Sequence, residues 1–194
     1  MGLFSRKPKD NQREDGLGIS RKYNLLPGKC YIVEESPPDL SFDAFVNILS
    51  TQDEACAKVT GLAISRQHPD MIKQKYGLEK TPLFWLATRA GQDVIAPTNL
   101  GILTHTIIKF IEENACGVVL LDGLEYLVSN NDFNKALRVV NQVNDHVAQS
   151  KCRIIIPVDP RAFDPKELAL LERNAEKIIG THAKREDARV AVAA

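Results

Sequence analysis

The sequence predicts an α/β protein of three layers, with a mainly parallel sheet of five or six strands between two layers of helices. Five short runs are apolar almost throughout, which is typical of strands that are buried on both faces of a sheet. Between these runs lie longer segments whose apolar residues recur at intervals of three and four, as in amphipathic helices. Because helices separate consecutive strands, crossover connections and parallel pairing are expected.

The first strand is predicted in KCYIVEE, and the helix after it in SFDAFVNILSTQ, where the apolar residues fall on one face. GLAISR is the second strand. The short segment HPDMIKQKYG follows it as a helix, because Pro69 suits a first helical turn and Gly77 suits a helix end.

PLFWLAT is the third strand, and the helix NLGILTHTIIKFIEENA follows it. That helix is apolar on most sides, which leaves open whether it is covered by several neighbours or forms a dimer face. GVVLLDGL is the fourth strand, before the amphipathic helix DFNKALRVVNQVNDHVAQS. CRIIIPVD is the fifth, before the helix DPKELALLERNAEKI, where Asp164 is the N-cap, Pro165 the first residue and Glu167 the partner in a capping box.

Composition and charge restrict the class of protein. The 194 residues are 44% hydrophobic, which suits one α/β domain over residues 23–180 between polar tails at 1–22 and 181–194. The 25 basic residues balance 25 acidic ones, so nucleic acid is not the expected partner, since phosphate binding needs a basic face. The four cysteines form no CxxC pair, so we expect neither a zinc site nor a disulfide framework, and a reducing, cytoplasmic location.

No apolar stretch is long enough to span a bilayer. The N-terminal segment combines Leu3 and Phe4 with the basic residues Arg6 and Lys7, so weak contact with an anionic membrane stays open beside a solvated tail.

The fourth strand ends in Asp122, and in many ATPases an aspartate at that position holds Mg²⁺ beside a nucleotide. A phosphate-binding loop should then follow the first strand, with glycines, a lysine and a hydroxyl. That turn instead reads ESPPDLS (35–41): its two prolines lack N–H groups and its acids repel phosphate. The pair Gly28-Lys29 precedes the strand. We therefore predict no cofactor, no metal site and no catalytic residues.

Polar side chains nevertheless follow several strands, and ligands of parallel sheets bind at the carboxyl ends of the strands. The candidate ligand-binding residues are Glu35, Arg66, His68, Asp122, Glu125 and Asp159. Simpler roles compete with ligand binding. Arg66 would pair with Asp122 or Asp159, His68 would cap the following helix, and Tyr126, like Trp85, would fill the core.

Several sequence blocks resemble a known family: LLPGKCYIVEE, GLAISRQHPDMIKQKYGLEKTPLFWLAT, IAPTNLGIL, VVLLDGLEYLVSNNDF and IIIPVDPRAFDPKELALLER. Together they resemble an uncharacterised archaeal family, the domain of unknown function number eight hundred and thirty-five, over residues 25–175. The resemblance implies a module found alone or attached to archaeal signalling proteins such as sensor kinases, with no settled activity. The strand order is similar to that of RecA and KaiC ATPases without their phosphate loop.

We favour a non-catalytic signalling or scaffold module that binds a protein partner, in a complex that is cytoplasmic or peripheral to the membrane. A homodimer is also open. The first alternative is weak binding of a nucleotide or other small ligand at the strand ends, supported by Asp122 and Arg66. The second is a metal-dependent hydrolase that uses Glu35, His68, Asp122 and Asp159.

Overall fold

A computed structural model describes Tyr23 and residues 25–50, 58–173 and 175–179. The strands are β1 (Lys29–Glu34), β2 (Thr60–Ser65), β3 (Leu83–Leu86), β4 (Val94–Ile95), β5 (Gly117–Asp122), β6 (Arg153–Val158) and β7 (Glu176–Ile179). The helices are α1 (Asp39–Ser50), α2 (Pro69–Tyr76), α3 (Leu100–Glu113), α4 (Leu124–Asn130), α5 (Phe133–Ala148) and α6 (Pro165–Glu172), with a 3-10 turn at Pro160–Ala162. The predicted tails at 1–22 and 181–194 lie outside the described residues.

The strands form one sheet in the order β4-β3-β2-β5-β6-β1-β7, and every strand pair is parallel. The predicted fold class is confirmed, with seven described strands instead of five or six. From β1 the chain crosses toward β2, whereas from β6 it crosses back past β1 to β7. The two connections leave in opposite directions, and such a switch point opens a crevice at the carboxyl ends of the strands.

The two added strands lie at the edges of the sheet. Strand β4 has only two residues, Val94 and Ile95, which pair with β3. Strand β7 lies where the sequence predicted the end of the last helix; α6 instead ends at Glu172, and Glu176 pairs with Tyr31 on the open edge of β1. The Lys177 ammonium lies 2.7 Å from a Glu172 carboxylate oxygen and 2.8 Å from one of Glu34, which fixes this edge.

Hydrophobic cores on both faces of the sheet produce the three layers. Helices α3, α4, α5 and α6 cover one face, with Leu103, Val143 and Leu171 in that core. Helices α1 and α2 cover the other, with Phe42 and Ile72 buried there. Burial on both faces explains the unbroken apolar runs of β1, β5 and β6.

Local signals fix several helix ends as predicted. Pro69 lies in the first turn of α2, and Gly77 ends that helix in the left-handed region, at φ 68°. The capping box at the start of α6 is present, with the Asp164 N–H donating to a Glu167 carboxylate oxygen at 3.1 Å. The sequence missed α4, which begins at Leu124 directly after Gly123 adopts a φ of 115°.

The cysteines depart from expectation. Cys30 and Cys152 are free and buried, whereas Cys116 is disulfide-bonded, which the expectation of a reducing location did not predict. Among the described residues, no helix combines the length and the apolar character needed to cross a bilayer.

The close contact between β2 and α1 depends on a glycine. A Cβ atom at Gly61 would lie 2.9 Å from Leu49 Cδ2 and 3.0 Å from Phe45 Cζ, and Phe45 is fully buried. We therefore expect Gly61→Ala to lower the free energy of unfolding by about 1–3 kcal/mol, because the core is overpacked. Urea denaturation measures the change.

Gly101→Ala is the matched control, because the nearest neighbour of its new Cβ, Asn99 Oδ1, is 3.8 Å away. In helix α3 this substitution should stabilise by up to about 1 kcal/mol. Equal effects of the two substitutions would contradict the packing described.

Candidate functional site

A cavity of about 680 Å³ opens at the carboxyl ends of β1, β2, β5 and β6. Five of the six predicted site residues line it: Glu35, Arg66, Asp122, Glu125 and Asp159. His68 does not. Its ring caps α2, with Nδ1 accepting from the Asp70 N–H at 3.3 Å, as the simpler interpretation predicted, and it packs edge-on against Trp85. The structure therefore gathers these side chains, while ligand binding by them stays a prediction.

Glu35 binds the first turn of α1. Its carboxylate accepts hydrogen bonds from the backbone N–H groups of Leu40 and Ser41, both at 2.8 Å, and only 6% of the residue is exposed. Burial raises the pKa of the Glu35 carboxyl, against the hydrogen bonds from Leu40 and Ser41 that lower it. The N-terminus of a helix is a natural anion site, and here the anion is a side chain of the protein itself.

The turn between β1 and α1 is tied to its surroundings on both sides. The Glu35 N–H donates to the Val158 carbonyl of β6 at 2.9 Å. Asp39 accepts from Lys75 Nζ at 2.7 Å and from the Tyr76 hydroxyl at 3.0 Å, which connects α1 to α2. The prolines at positions 37 and 38 between these anchors offer no N–H to the cavity.

Asp122 lies at the end of β5, beside the end of β2. One of its carboxylate oxygens accepts from the Ser65 hydroxyl at 2.5 Å, and Gln67 also bonds to its side chain. Burial raises the pKa of Asp122, and the hydrogen bonds of Ser65 and Gln67 only partly oppose this. The carboxylate that would hold a metal in an ATPase is therefore engaged by neighbouring strand ends.

Glu125 and Asp159 connect α4 to the end of β6. A Glu125 oxygen accepts from the Asp159 N–H at 2.6 Å. Burial raises the pKa of Glu125, and the charges of Asp122 and Asp159 add to the shift. Asp159 differs, because Arg161 donates to both of its oxygens, at 2.9 and 2.8 Å, and lowers its pKa to about 2.

Arg66 is exposed at the rim of the cavity. Its guanidinium carbon lies 4.5 Å from the centre of the Tyr126 ring, a cation–π contact, and Nη1 reaches the Leu86 carbonyl at 3.4 Å. The predicted pairing of Arg66 with Asp122 or Asp159 is not among the ion pairs of the described residues, because the side chain lies over the ring instead. Tyr126 both packs on the core and supports this cation.

The walls of the cavity are acidic. Five carboxylates line it, from Glu35, Asp39, Asp122, Glu125 and Asp159, against the two cations Arg66 and Lys75. The sequence did not identify Lys75, Ser65 or Gln67 as parts of the site; the Ser-Arg-Gln run after a buried strand was the available signal for the last two. Within the described residues, no His, Cys, Asp and Glu side chains are grouped closely enough to hold a metal ion.

The parallel sheet covered on both faces, with a cavity at its switch point, defines a doubly wound three-layer α/β domain, and its fold is RecA-like. The family model described as "Protein of unknown function (DUF835)" matches residues 42–174, and the chain belongs to that family. No curated protein matches the chain significantly.

Two solved structures share the fold. A Pyrococcus horikoshii OT3 protein from a structural study is 10% identical, with a TM-score of 0.55 over 82% of this chain and 85% of the other. The flagellar accessory protein FlaH from Methanocaldococcus jannaschii is 18% identical, with a TM-score of 0.52 over 78% of this chain and 70% of FlaH. At these identities the likeness concerns the fold alone.

The role of Glu35 can be measured by substitution. Glu35→Ala leaves the part-buried N–H of Leu40 and the buried N–H of Ser41 without their acceptor, so we expect a loss of about 2–3 kcal/mol in the free energy of unfolding. Glu35→Gln retains one side-chain oxygen as an acceptor and should lose clearly less. Chemical denaturation at neutral pH compares them, and equal losses for both variants would show that the acceptor does not matter.

The opposite pKa shifts of Asp122 and Asp159 predict opposite pH effects. The pKa of Asp122 is raised in the folded state, so wild-type stability falls as the pH rises from its unfolded pKa, about 3.9, through the raised value. Asp122→Asn removes this titration, so its stability relative to the wild type should rise over that interval.

Asp159→Asn is the matched variant of opposite sign. The folded pKa of Asp159 is about 2, so its stabilisation is present above the unfolded pKa and is lost as the pH falls through the folded value. The stability of Asp159→Asn relative to the wild type should therefore fall as the pH rises from about 2 to 5. Urea titrations across this range test both variants, and the same sign for both would contradict the two environments.

Proposed function

We propose that this protein is a non-catalytic RecA-like module that binds a protein partner in archaeal signalling or in a scaffold, without cofactor or metal. The observation that carries the proposal is the hydrogen bonding of the Glu35 carboxylate to the Leu40 and Ser41 amides. These amides are the donors that a phosphate group would need at the start of α1. A side chain that already satisfies them removes the main source of triphosphate affinity.

The electrostatics of the cavity support the same proposal. Beyond Glu35, a triphosphate in the cavity would meet Asp39, Glu125 and Asp159, with Lys75 already paired to Asp39. Like charges at close range in a partly buried site cost several kcal/mol. The hydrogen bonds that Asp122 accepts from Ser65 and Gln67 compete with Mg²⁺ for its oxygens. Nucleotide hydrolysis is therefore disfavoured at three separate points.

A second candidate is the binding of a small ligand at the rim of this cavity. It is favoured by Arg66, whose guanidinium lies on the Tyr126 ring at the cavity and is without a carboxylate partner among the described residues. Such a cation can bind an anionic group or stack on a planar one. The cavity volume of about 680 Å³ is within the range of small-molecule sites.

Thermal denaturation with ATP, GTP and a cyclic dinucleotide, each with Mg²⁺ or Mn²⁺, separates these functions. A ligand present at 100 times its dissociation constant stabilises by about 2.7 kcal/mol, so binding is easily detected. We expect no stabilisation by any of them. In parallel, a partner that co-purifies from the source organism should bind the purified chain at a fixed stoichiometry in isothermal titration calorimetry.

Two variants show which part of the cavity is responsible for any stabilisation by a nucleotide. A nucleotide effect that disappears in Asp122→Ala would refute the non-catalytic module. An effect that disappears in Arg66→Ala and persists in Asp122→Ala would instead establish the rim site of the second candidate.

A further inference from the structure

A groove of about 450 Å³ lies between α3 and α5, outside the cavity described above. Its apolar lining comes from Leu100, Ile108 and Val139. Nearby on α3, Ile102 is 52% exposed. Ile108 of α3, which is only partly buried, therefore lies in this groove, and the exposed Ile102 lies outside its lining.

The absence of a side chain at Gly101 helps to keep the groove open. Gly101 lines the groove, and a Cβ atom added there would have only Asn99 Oδ1 near it, at 3.8 Å. From Leu100 to Ile108 the groove follows α3 for about 12 Å. That length corresponds to roughly two turns of an inserted helix.

The charges at the groove are positive. The charged residues of its lining are Lys135 and Arg138 of α5, and no carboxylate belongs to the lining in the described part of the chain. Asp132 pairs with the Lys135 ammonium at 2.8 Å from the start of α5, outside the lining. An apolar floor beside two cations is complementary to an apolar surface that carries acids.

Two other occupants fit less well. A second copy of the chain related by a two-fold axis would place this face against itself, and the groove lining contains no carboxylate to face Lys135 and Arg138. A flat anionic membrane surface would meet the two helix ridges and would leave the groove between them unfilled. A narrow element with its own apolar ridge fills the groove best.

We propose that the groove between α3 and α5 binds an acidic amphipathic helix of a partner protein, an inference that rests on the partner-binding function proposed above. The apolar residues of that helix, at positions i, i+3 or i+4, and i+7, would pack on Leu100, Ile108 and Val139. Its flanking carboxylates would face Lys135 and Arg138. Since these pairs are exposed, they set orientation and association rate more than affinity.

The test is selection from a display library of random peptides about 15 residues long, with the full chain as the target. We expect enrichment of peptides that combine an apolar helical stripe with Glu or Asp. The selected peptides, labelled with a fluorophore, should bind the double variant Lys135→Glu/Arg138→Glu at least about tenfold more weakly than the wild type, by fluorescence anisotropy. Their affinity for the wild type should also fall with added salt.

The double variant Lys80→Glu/Lys166→Glu is the control, because it makes the same change of charge at exposed positions away from the groove. It should bind the selected peptides like the wild type. Circular dichroism and thermal denaturation verify that both double variants fold. Ile108→Asp gives a second probe, which should weaken the binding of the peptides through the apolar floor.

Several outcomes would overturn the inference. These are no enrichment, enrichment of basic peptides, or equal weakening by both double variants. Binding to phosphatidylserine vesicles that Lys135→Glu/Arg138→Glu abolishes, without peptide binding, would assign the face to a membrane. If a natural partner bound the groove variants as tightly as the wild type, the groove would not be its binding site, and the proposed partner-binding function would still hold. Nucleotide hydrolysis by the protein would instead refute the proposed function, and it would not affect the peptide result.

Discussion

The bond between the Glu35 carboxylate and the first turn of α1 is the constraint on which the site depends. These hydrogen bonds connect the residue directly after β1 to the first turn of α1, and so they hold the turn between the two elements closed. Because the Glu35 N–H also donates to Val158, the same residue fixes that turn to the neighbouring strand β6. The amide donors at the start of α1 are thus occupied by the chain itself, beside the cavity that opens at the switch point of the sheet.

An internal carboxylate has an advantage over a dissolved phosphate, because it needs no loss of translational freedom to reach the amides. It also adds negative charge that the rest of the cavity does not neutralise. Asp122, Glu125 and Asp159 each use their oxygens on neighbouring backbone or side chains. The carboxylates therefore connect the strand ends of this RecA-like fold to one another.

The sequence predicts most of the fold because burial determines the spacing of apolar residues along each strand and helix. Strands β1, β2, β5 and β6 are covered on both faces, so their apolar runs are unbroken. The two strands that the sequence missed have no such apolar run. Strand β4 has only two residues. Strand β7 has the sequence pattern of a helix but pairs with the open edge of β1. For the site, the positions of the strand ends predict which residues lie near one another. The conformation of the loops determines which of these residues form bonds, and Arg66 therefore contacts the Tyr126 ring where an ion pair was expected.

A crystal structure of the protein grown with ATP and Mg²⁺ would show directly which acceptor the amides at the start of α1 bind. We expect both Glu35 carboxylate oxygens to stay within hydrogen-bonding distance of the Leu40 and Ser41 amides, with no phosphate density at the start of α1. Phosphate oxygens bonded to these two amides, with the Glu35 side chain displaced, would contradict this expectation.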